Sequence, residues 1–233
     1  MALGLNEHPL LSVVAVVFDL DGTLIDSRKD IVAAVRHTLA SHELSAPEDD
    51  AVIVSFVGDG AHALLARCAR LDEGDPRIDA LLATFLDYYT AHACDHTVLM
   101  PGARQALRDL AGVPLALLTN KPRRTTEAVL AALNLTDTFS LIVADGDLHR
   151  RKPDPEPLLV IARTLAIHPR QLVMVGDAGQ DIECGRRAGA HTVAVTGGMG
   201  HRERLLAAGP DVVIAKLSEL PAVVASLRIQ TSA

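Results

Sequence analysis

The sequence has few aromatic residues, few cysteines and no excess of positive charge. Aromatic residues make up 3% of the 233 residues, and tryptophan is absent. The three cysteines are odd in number and widely separated, which disfavours both a disulfide framework and a zinc knuckle. Lys and Arg number 22 against 29 Asp and Glu, so the net charge is −7. This balance disfavours nucleic acid or an anionic membrane as the main partner.

Long hydrophobic runs are also missing. The first apolar run is interrupted by Asp19 and Asp21 after about ten residues, too few for a membrane span, and no basic residue precedes it as in a signal peptide. We therefore expect a cytoplasmic protein with reduced cysteines. Because an ordinary domain has roughly 100–150 residues, the length indicates one main domain that carries an insert.

Six short apolar runs rich in β-branched residues predict buried parallel strands. These runs are 13–18, 115–118, 141–143, 172–175, 192–195 and 212–214. Helical patterns alternate with the later runs, at 103–110, 124–133, 155–165, 181–188 and 201–208. This alternation is typical of an α/β fold with a Rossmann-like, doubly wound parallel sheet.

The segment between the first two runs is too long for one crossover and contains no convincing strand. It carries four helical patterns, at 29–41, 47–57, 59–69 and 78–92. We therefore predict that residues 28–97 form an inserted helical cap, and that residues 1–27 and 98–233 form the α/β core. The glycines at 58 and 60 imitate a dinucleotide-binding loop, but two helices meeting at Gly58 explain them better, so no nicotinamide cofactor is predicted.

Polar residues follow the predicted strands at the edge where open α/β sheets bind ligands. They are Asp19 and Asp21 after the first strand, Thr119 and Asn120 after the second, Lys152 in the third crossover, and Asp177 and Asp181 after the fourth. Several carboxylates together suit Mg²⁺. Hydroxyl, amide and ammonium donors suit a phosphorus centre attacked by a carboxylate, because they neutralise its equatorial oxygens.

These motifs resemble those of the haloacid dehalogenase superfamily, and within it the phosphoglycolate phosphatase group. The matching segments are Asp19-Leu20-Asp21-Gly22-Thr23-Leu24, Thr119-Asn120-Lys121-Pro122, Lys152-Pro153-Asp154-Pro155, and Gly176-Asp177 with Asp181. Four motifs in this order at the ends of the predicted strands are specific for the superfamily. The position of the insert is similar to that of the family's helical cap.

The resemblance implies a Mg²⁺-dependent phosphatase that acts through an aspartyl-phosphate. Asp19 would be the nucleophile and Asp21 the general acid and base. The implied roles of the others are charge compensation by Lys152, phosphoryl binding by Thr119 and the Asn120 backbone, Mg²⁺ binding by Asp19, the Asp21 carbonyl oxygen and Asp177, and action of Asp181 on a metal-bound water or on Lys152. Dehalogenases of the family lack the second acid, so Asp21 favours phosphate transfer.

The implied partner is a small phosphorylated metabolite, with 2-phosphoglycolate as the leading substrate. The alternatives are a phosphatase for hexose 6-phosphates or N-acetylmuramate 6-phosphate, a phosphomutase, and a non-hydrolytic phospho-aspartate switch or scaffold. Residues 178–180 and 196–200 depart from the usual phosphoglycolate phosphatase pattern, which bears on the substrate and leaves the chemistry intact. We expect a monomer or a weak homodimer.

Further contacts are predicted from position alone. Arg28, Lys29 and the loop 58–62 are expected to contact the substrate from the insert. Arg150 and Arg151, beside Lys152, either add positive potential at the mouth of the site or belong to a solvated loop.

Overall fold

The computed structural model describes residues 13–229, which form a six-stranded parallel sheet with four helices inserted after its first strand. The strands are β1 (Ala15–Phe18), β2 (Ile25–Asp26), β3 (Val98–Leu99), β4 (Leu115–Pro122), β5 (Leu141–Asp145), β6 (Leu172–Gly176), β7 (His191–Val195) and β8 (Val212–Ile214). The α-helices are α1 (Arg28–Ser41), α2 (Asp50–Ser55), α3 (Ala61–Ala69), α4 (Arg77–Ala91), α5 (Ala103–Asp109), α6 (Arg123–Ala132), α7 (Glu156–Thr164), α8 (Gly179–Ala188), α9 (Arg202–Ala207) and α10 (Leu220–Ile229).

The main sheet has the strand order β5-β4-β1-β6-β7-β8, and all of its pairings are parallel. The six predicted strands are therefore confirmed, as is the doubly wound α/β class. In β1, Val16 and Phe18 belong to one core cluster, whereas Ala15 and Val17 belong to a second one. Both faces of the strand are buried, which explains why its sequence is continuously apolar rather than alternating.

The five helical patterns predicted after residue 100 correspond to α5–α9. Helix α10 was not predicted, and its Leu220 and Val224 pack into the larger core cluster. The predicted core also includes residues 1–12 and 230–233, which lie outside the described residues. Within residues 13–229, no helix is both long and apolar enough to cross a bilayer.

Helices α1–α4 all lie within residues 28–97, the predicted insert, as its four helical patterns predict. The expectation that the segment between the first two apolar runs contains no strand was wrong, because β2 and β3, which flank residues 28–97, pair antiparallel. Each of these strands has two residues, too few for a sequence periodicity to be recognised. Helices α2 and α3 meet around Gly58, where φ is +120°, so the two-helix interpretation of this segment is confirmed.

A buried carboxylate in α1 holds the two ends of the insert together. Asp30 accepts hydrogen bonds from the backbone N–H of His96 at 3.0 Å and of Thr97 at 2.7 Å. It also accepts one from the Thr97 hydroxyl at 2.6 Å. A buried charge is stable only when it is hydrogen-bonded, so these donors stabilise the buried Asp30 carboxylate.

We expect Asp30→Asn to lower the free energy of unfolding by about 2–3 kcal/mol, because an amide cannot accept all of these bonds. Urea unfolding followed by circular dichroism measures the change. Asp137→Asn is the matched control, since Asp137 is exposed and its loss of charge is the same. Equal unfolding midpoints for the two variants would show that the Asp30 contacts do not stabilise the fold.

Candidate active site

The site lies at the carboxyl ends of three adjacent strands, β4, β1 and β6. Asp19 follows β1 directly, and the chain then turns at Gly22, where φ is +90°. A Cβ atom at position 22 would lie 2.2 Å from Asp177 Oδ2, so only glycine lets the turn after β1 approach the residue after β6. The packing of this turn therefore brings Asp19 and Asp177 together.

A single ammonium group joins Asp19 to Asp181. Lys152 Nζ donates to Asp19 Oδ1 and to Asp181 Oδ1, each at 2.6 Å, and to the carbonyl oxygen of Leu118 at 2.9 Å. Burial acts to lower the pKa of Lys152, but the two carboxylates outweigh it and the pKa is raised. Lys152 is therefore charged at neutral pH, although its side chain is almost completely buried.

Three buried carboxylates face one another across the site. Asp19, Asp177 and Asp181 each offer an oxygen within 4.8 Å of the others. Burial, together with the neighbouring carboxylates, raises the pKa of Asp19 well above its usual range although Lys152 opposes the shift, and burial and Asp181 raise the pKa of Asp177 to about 6. Because one ammonium cannot neutralise three carboxylates, this oxygen donor set fits a divalent metal ion.

Asp177 is held by the segment after β7. The backbone N–H groups of Met199 and Gly200 donate to Asp177 Oδ2 at 2.7 and 2.8 Å. A Cβ atom at Gly198 would lie 2.3 Å from the same oxygen. Segment 196–200, one of the two that depart from the family pattern, thus donates hydrogen bonds to Asp177 and packs closely against it.

Thr119 and Asn120 lie at the end of β4, and both are buried. The Asn120 amide donates to the carbonyl oxygens of Gly58 at 2.9 Å and Lys152 at 3.0 Å, and its Oδ1 accepts from the Lys152 N–H at 3.1 Å. The Asn120 side chain thus connects the insert, β4 and the Lys152 loop, which is the segment between β5 and α7. That the Asn120 backbone binds a phosphoryl group stays a prediction.

The structure also brings three residues to the site for which no role was predicted. Thr23 donates to Asp19 Oδ2 at 3.2 Å and to Asp177 Oδ1 at 3.1 Å. Lys121 donates to the carboxylate of Asp21 and to the hydroxyl oxygen of Tyr89. Thr23 and Lys121 stand inside the motifs, so their positions were a signal. Tyr89 lies on α4, where the sequence shows only the spacing of an ordinary buried helix face.

A cleft opens over these residues, and the insert forms its apolar wall. Its lining includes Ile31, Leu64 and Phe85 from three helices of the insert, together with Gly58 and Gly60 from the loop between α2 and α3. The loop therefore lies where a substrate contact was expected. Asp21, Thr119 and Lys121 form part of the opposite wall.

The expectation for the two cations at the start of α1 was wrong. Arg28 forms an ion pair with Asp26, with Nη2 2.5 Å from Oδ2, and Lys29 is exposed. Neither side chain lines the cleft, and nor does His62. Asp26, two residues before Arg28 in the sequence, accepts two hydrogen bonds from the Arg28 guanidinium group and holds it in this ion pair.

Arg150 and Arg151 differ in position. Arg150 is exposed, whereas the Arg151 guanidinium lies against the insert loop, with Nη1 3.1 Å from the place of a Cβ on Gly60. The positive potential predicted at the rim of the site therefore has a basis for Arg151, and Arg150 fits the solvated-loop alternative.

The sequence pattern of the haloacid dehalogenase-like hydrolases matches residues 16–195. The phosphoglycolate phosphatase of Chromobacterium violaceum is 37% identical over 218 residues, covering 91% of this chain and 96% of that relative. The phosphoglycolate phosphatase of Escherichia coli (strain K12) is 34% identical over 227 residues, with coverages of 88% and 90%.

A solved structure gives the same result for the fold. The crystal structure of a predicted phosphoglycolate phosphatase from Haemophilus somnus superposes with a TM-score of 0.82 at 24% identity, covering 91% of this chain and 97% of that one. The chain therefore belongs to the haloacid dehalogenase-like hydrolases, and it is a phosphatase.

We expect Thr23→Val to weaken divalent-cation binding by about 10–100-fold, because Asp19 and Asp177 lose the hydroxyl that orients them. Calorimetric titration with MgCl₂ measures this affinity without relying on turnover. Thr23→Ser keeps the hydroxyl and is the control that should bind nearly as well as the wild type. Equal affinities for the valine and serine variants would contradict the orienting role.

Proposed function

We propose that the protein is a Mg²⁺-dependent phosphoglycolate phosphatase, which hydrolyses 2-phosphoglycolate to glycolate and phosphate through a phosphorylated Asp19. The observation that carries this proposal is the position of Asp19 between Lys152 and Asp177, with a second acid, Asp21, on the cleft. Relatives named phosphoglycolate phosphatase, 34–37% identical over about nine-tenths of the chain, support the choice of substrate.

Asp19, Asp177 and the backbone carbonyl of Asp21 would hold the Mg²⁺ ion. When bound, it supplies positive charge that draws electron density from the phosphoryl oxygens. We assign Asp181 to Lys152, because its Oδ1 accepts from Lys152 Nζ at 2.6 Å, while its Oδ2 accepts from the N–H of Ala178 at 3.0 Å.

In the first step, an Asp19 carboxylate oxygen forms a bond to phosphorus and the bond from phosphorus to the glycolate oxygen breaks. Asp21 gives its proton to that oxygen, so glycolate leaves as an alcohol. Lys152 offsets the negative charge on Asp19 and on the phosphoryl group. The hydroxyl of Thr119 and the backbone N–H of Asn120 donate to phosphoryl oxygens.

In the second step, the Asp21 carboxylate takes a proton from a water molecule, whose oxygen attacks the phosphorus. The bond between phosphorus and Asp19 then breaks, and phosphate is released with both acids restored. We assign residues 28–97 as the cap, and residues 1–27 with 98–233 as the core. The apolar wall formed by the insert keeps bulk water from the phosphoryl group. A cytoplasmic location remains a prediction from the sequence.

A substrate panel tests the proposed function. With Mg²⁺ present, we expect kcat/KM for 2-phosphoglycolate to exceed that for hexose 6-phosphates, N-acetylmuramate 6-phosphate, nucleotides and pyrophosphate by at least about tenfold. Asp19→Asn should release no phosphate from any of them. A clear preference for a sugar phosphate would replace the substrate and keep the chemistry, whereas an active Asp19→Asn variant would rule out Asp19 as the nucleophile.

The order of the two steps gives a separate prediction for Asp21→Asn. p-Nitrophenyl phosphate needs no proton on its leaving group, so the variant should still phosphorylate Asp19 but lose the base for the second step. We therefore expect a burst of about one p-nitrophenolate per protein chain. Steady-state turnover after the burst should be about 10²–10⁴-fold slower than that of the wild type. Acid quenching and mass spectrometry should find the phosphoryl group on Asp19.

The double variant with Asp19→Asn is the control for this burst and should show none. If the single Asp21→Asn variant turns over p-nitrophenyl phosphate as fast as the wild type, with no burst, Asp21 is not the base. If the wild-type protein keeps a stable phosphorylated Asp19, the protein is a switch rather than a hydrolase.

A further inference from the structure

A buried contact links Asp21 to the insert through Lys121 and Tyr89. Lys121 Nζ donates to both carboxylate oxygens of Asp21, at 3.1 and 3.2 Å, and to the Tyr89 hydroxyl oxygen at 2.5 Å. The ammonium also lies 4.2 Å from the centroid of the Tyr89 ring, a distance that allows a cation–π interaction. Lys121 belongs to β4 and Tyr89 to α4, so this contact crosses from the core to the insert.

A second side chain also contacts Asp21. The Ser27 hydroxyl donates to Asp21 Oδ1 at 2.5 Å. Ser27, Tyr89 and Lys121 are all almost completely buried, and Tyr89, Lys121 and Asp21 line the cleft. Two buried donors, from Lys121 and Ser27, thus hold the Asp21 carboxylate, and Tyr89 in turn contacts Lys121.

The charge states of these groups follow from their partners. Burial acts to lower the pKa of Lys121, but Asp21 and Tyr89 outweigh it and the pKa is raised. Burial raises the pKa of Tyr89 to about 12, so the phenol keeps its proton. The Lys121 ammonium has three donors, and two go to Asp21 and one to Tyr89, which leaves none for a substrate.

We infer that Lys121 is a positioning residue for Asp21 and that Tyr89 holds Lys121 in place from the insert. The inference rests on the proposed function, in which Asp21 is the general acid and base. The Asp21 carboxyl group must point at the leaving oxygen to give it a proton, and a cation in contact with both of its oxygens restricts its rotation. Asp21 then reaches its working position only while α4 lies against the end of β4.

Lys121→Met tests this inference through the chemistry of the leaving group. We expect kcat/KM to fall by about 10²-fold for 2-phosphoglycolate and for ethyl phosphate, whose leaving oxygens need a proton. For p-nitrophenyl phosphate, which needs none, the fall should be less than about fivefold. Because kcat/KM includes only the steps up to departure of the leaving group, hydrolysis of phosphorylated Asp19 does not enter the comparison.

Tyr89→Phe removes one hydroxyl and keeps the buried ring, so it tests the same contact without emptying the core. Loss of this hydrogen bond should lower kcat/KM for the two alkyl phosphates by about three- to tenfold and leave p-nitrophenyl phosphate nearly unchanged. Tyr88→Phe is the matched control on the same helix. Tyr88 stacks against His37 and His92, with ring centroids 4.0 and 4.4 Å away, and should behave as the wild type.

Each alternative has its own signature. Equal losses for all three esters in both the Lys121 and the Tyr89 variants would reduce these residues to a structural role and overturn the inference. A loss confined to 2-phosphoglycolate would mean that Lys121 contacts the substrate carboxylate instead, which also overturns it. If the wild-type protein hydrolyses none of the esters, the proposed function itself fails, a result that is visible before any variant is made.

Discussion

The buried ion pairs of Lys152 are the interaction on which the site depends. Asp19, Asp177 and Asp181 would repel one another in a region from which water is largely excluded, and Lys152 is the cation that contacts two of them directly. Removing one member of such a group leaves an uncompensated buried charge, which costs several kcal/mol. The fold must therefore hold the ends of β1, β4 and β6 in register with the Lys152 loop.

The strand order supplies that register. β1 lies between β4 and β6 in the centre of the sheet, so residues from three separate parts of the chain end at one edge. The Leu118 carbonyl on β4 accepts from Lys152, and Gly22 lets the turn after β1 contact Asp177. The continuous apolar strands thus do more than fill a core. Their burial on both faces fixes where the polar residues that follow them meet.

The elements that could be predicted are those whose signal is local. Buried strands appear as short apolar runs, and Asp19, Asp21, Lys152 and Asp177 stand in motifs directly after strands or in a crossover. The pairing of β2 with β3 could not be predicted, since two residues show no period and their partners are distant in sequence. Tyr89 was missed for a related reason, because a buried aromatic residue on an amphipathic helix gives no sign of what its hydroxyl contacts. The expectation for Arg28 was wrong because the sequence does not show in which direction its side chain points, and in the structure it pairs with Asp26.

The end of β4 connects the chemistry to the insert through three consecutive residues. The Thr119 side chain lines the cleft, the Asn120 side chain donates to the Gly58 carbonyl of the insert loop, and the Lys121 ammonium contacts Tyr89 of α4. Two of these contacts break if the insert moves away from the core. Displacing the insert would therefore open the cleft and remove a support from the Asn120 side chain, which contacts the Lys152 backbone, and from Lys121, which contacts Asp21. Under the proposed function, the insert thus helps to hold the reacting groups in place as well as excluding water from them.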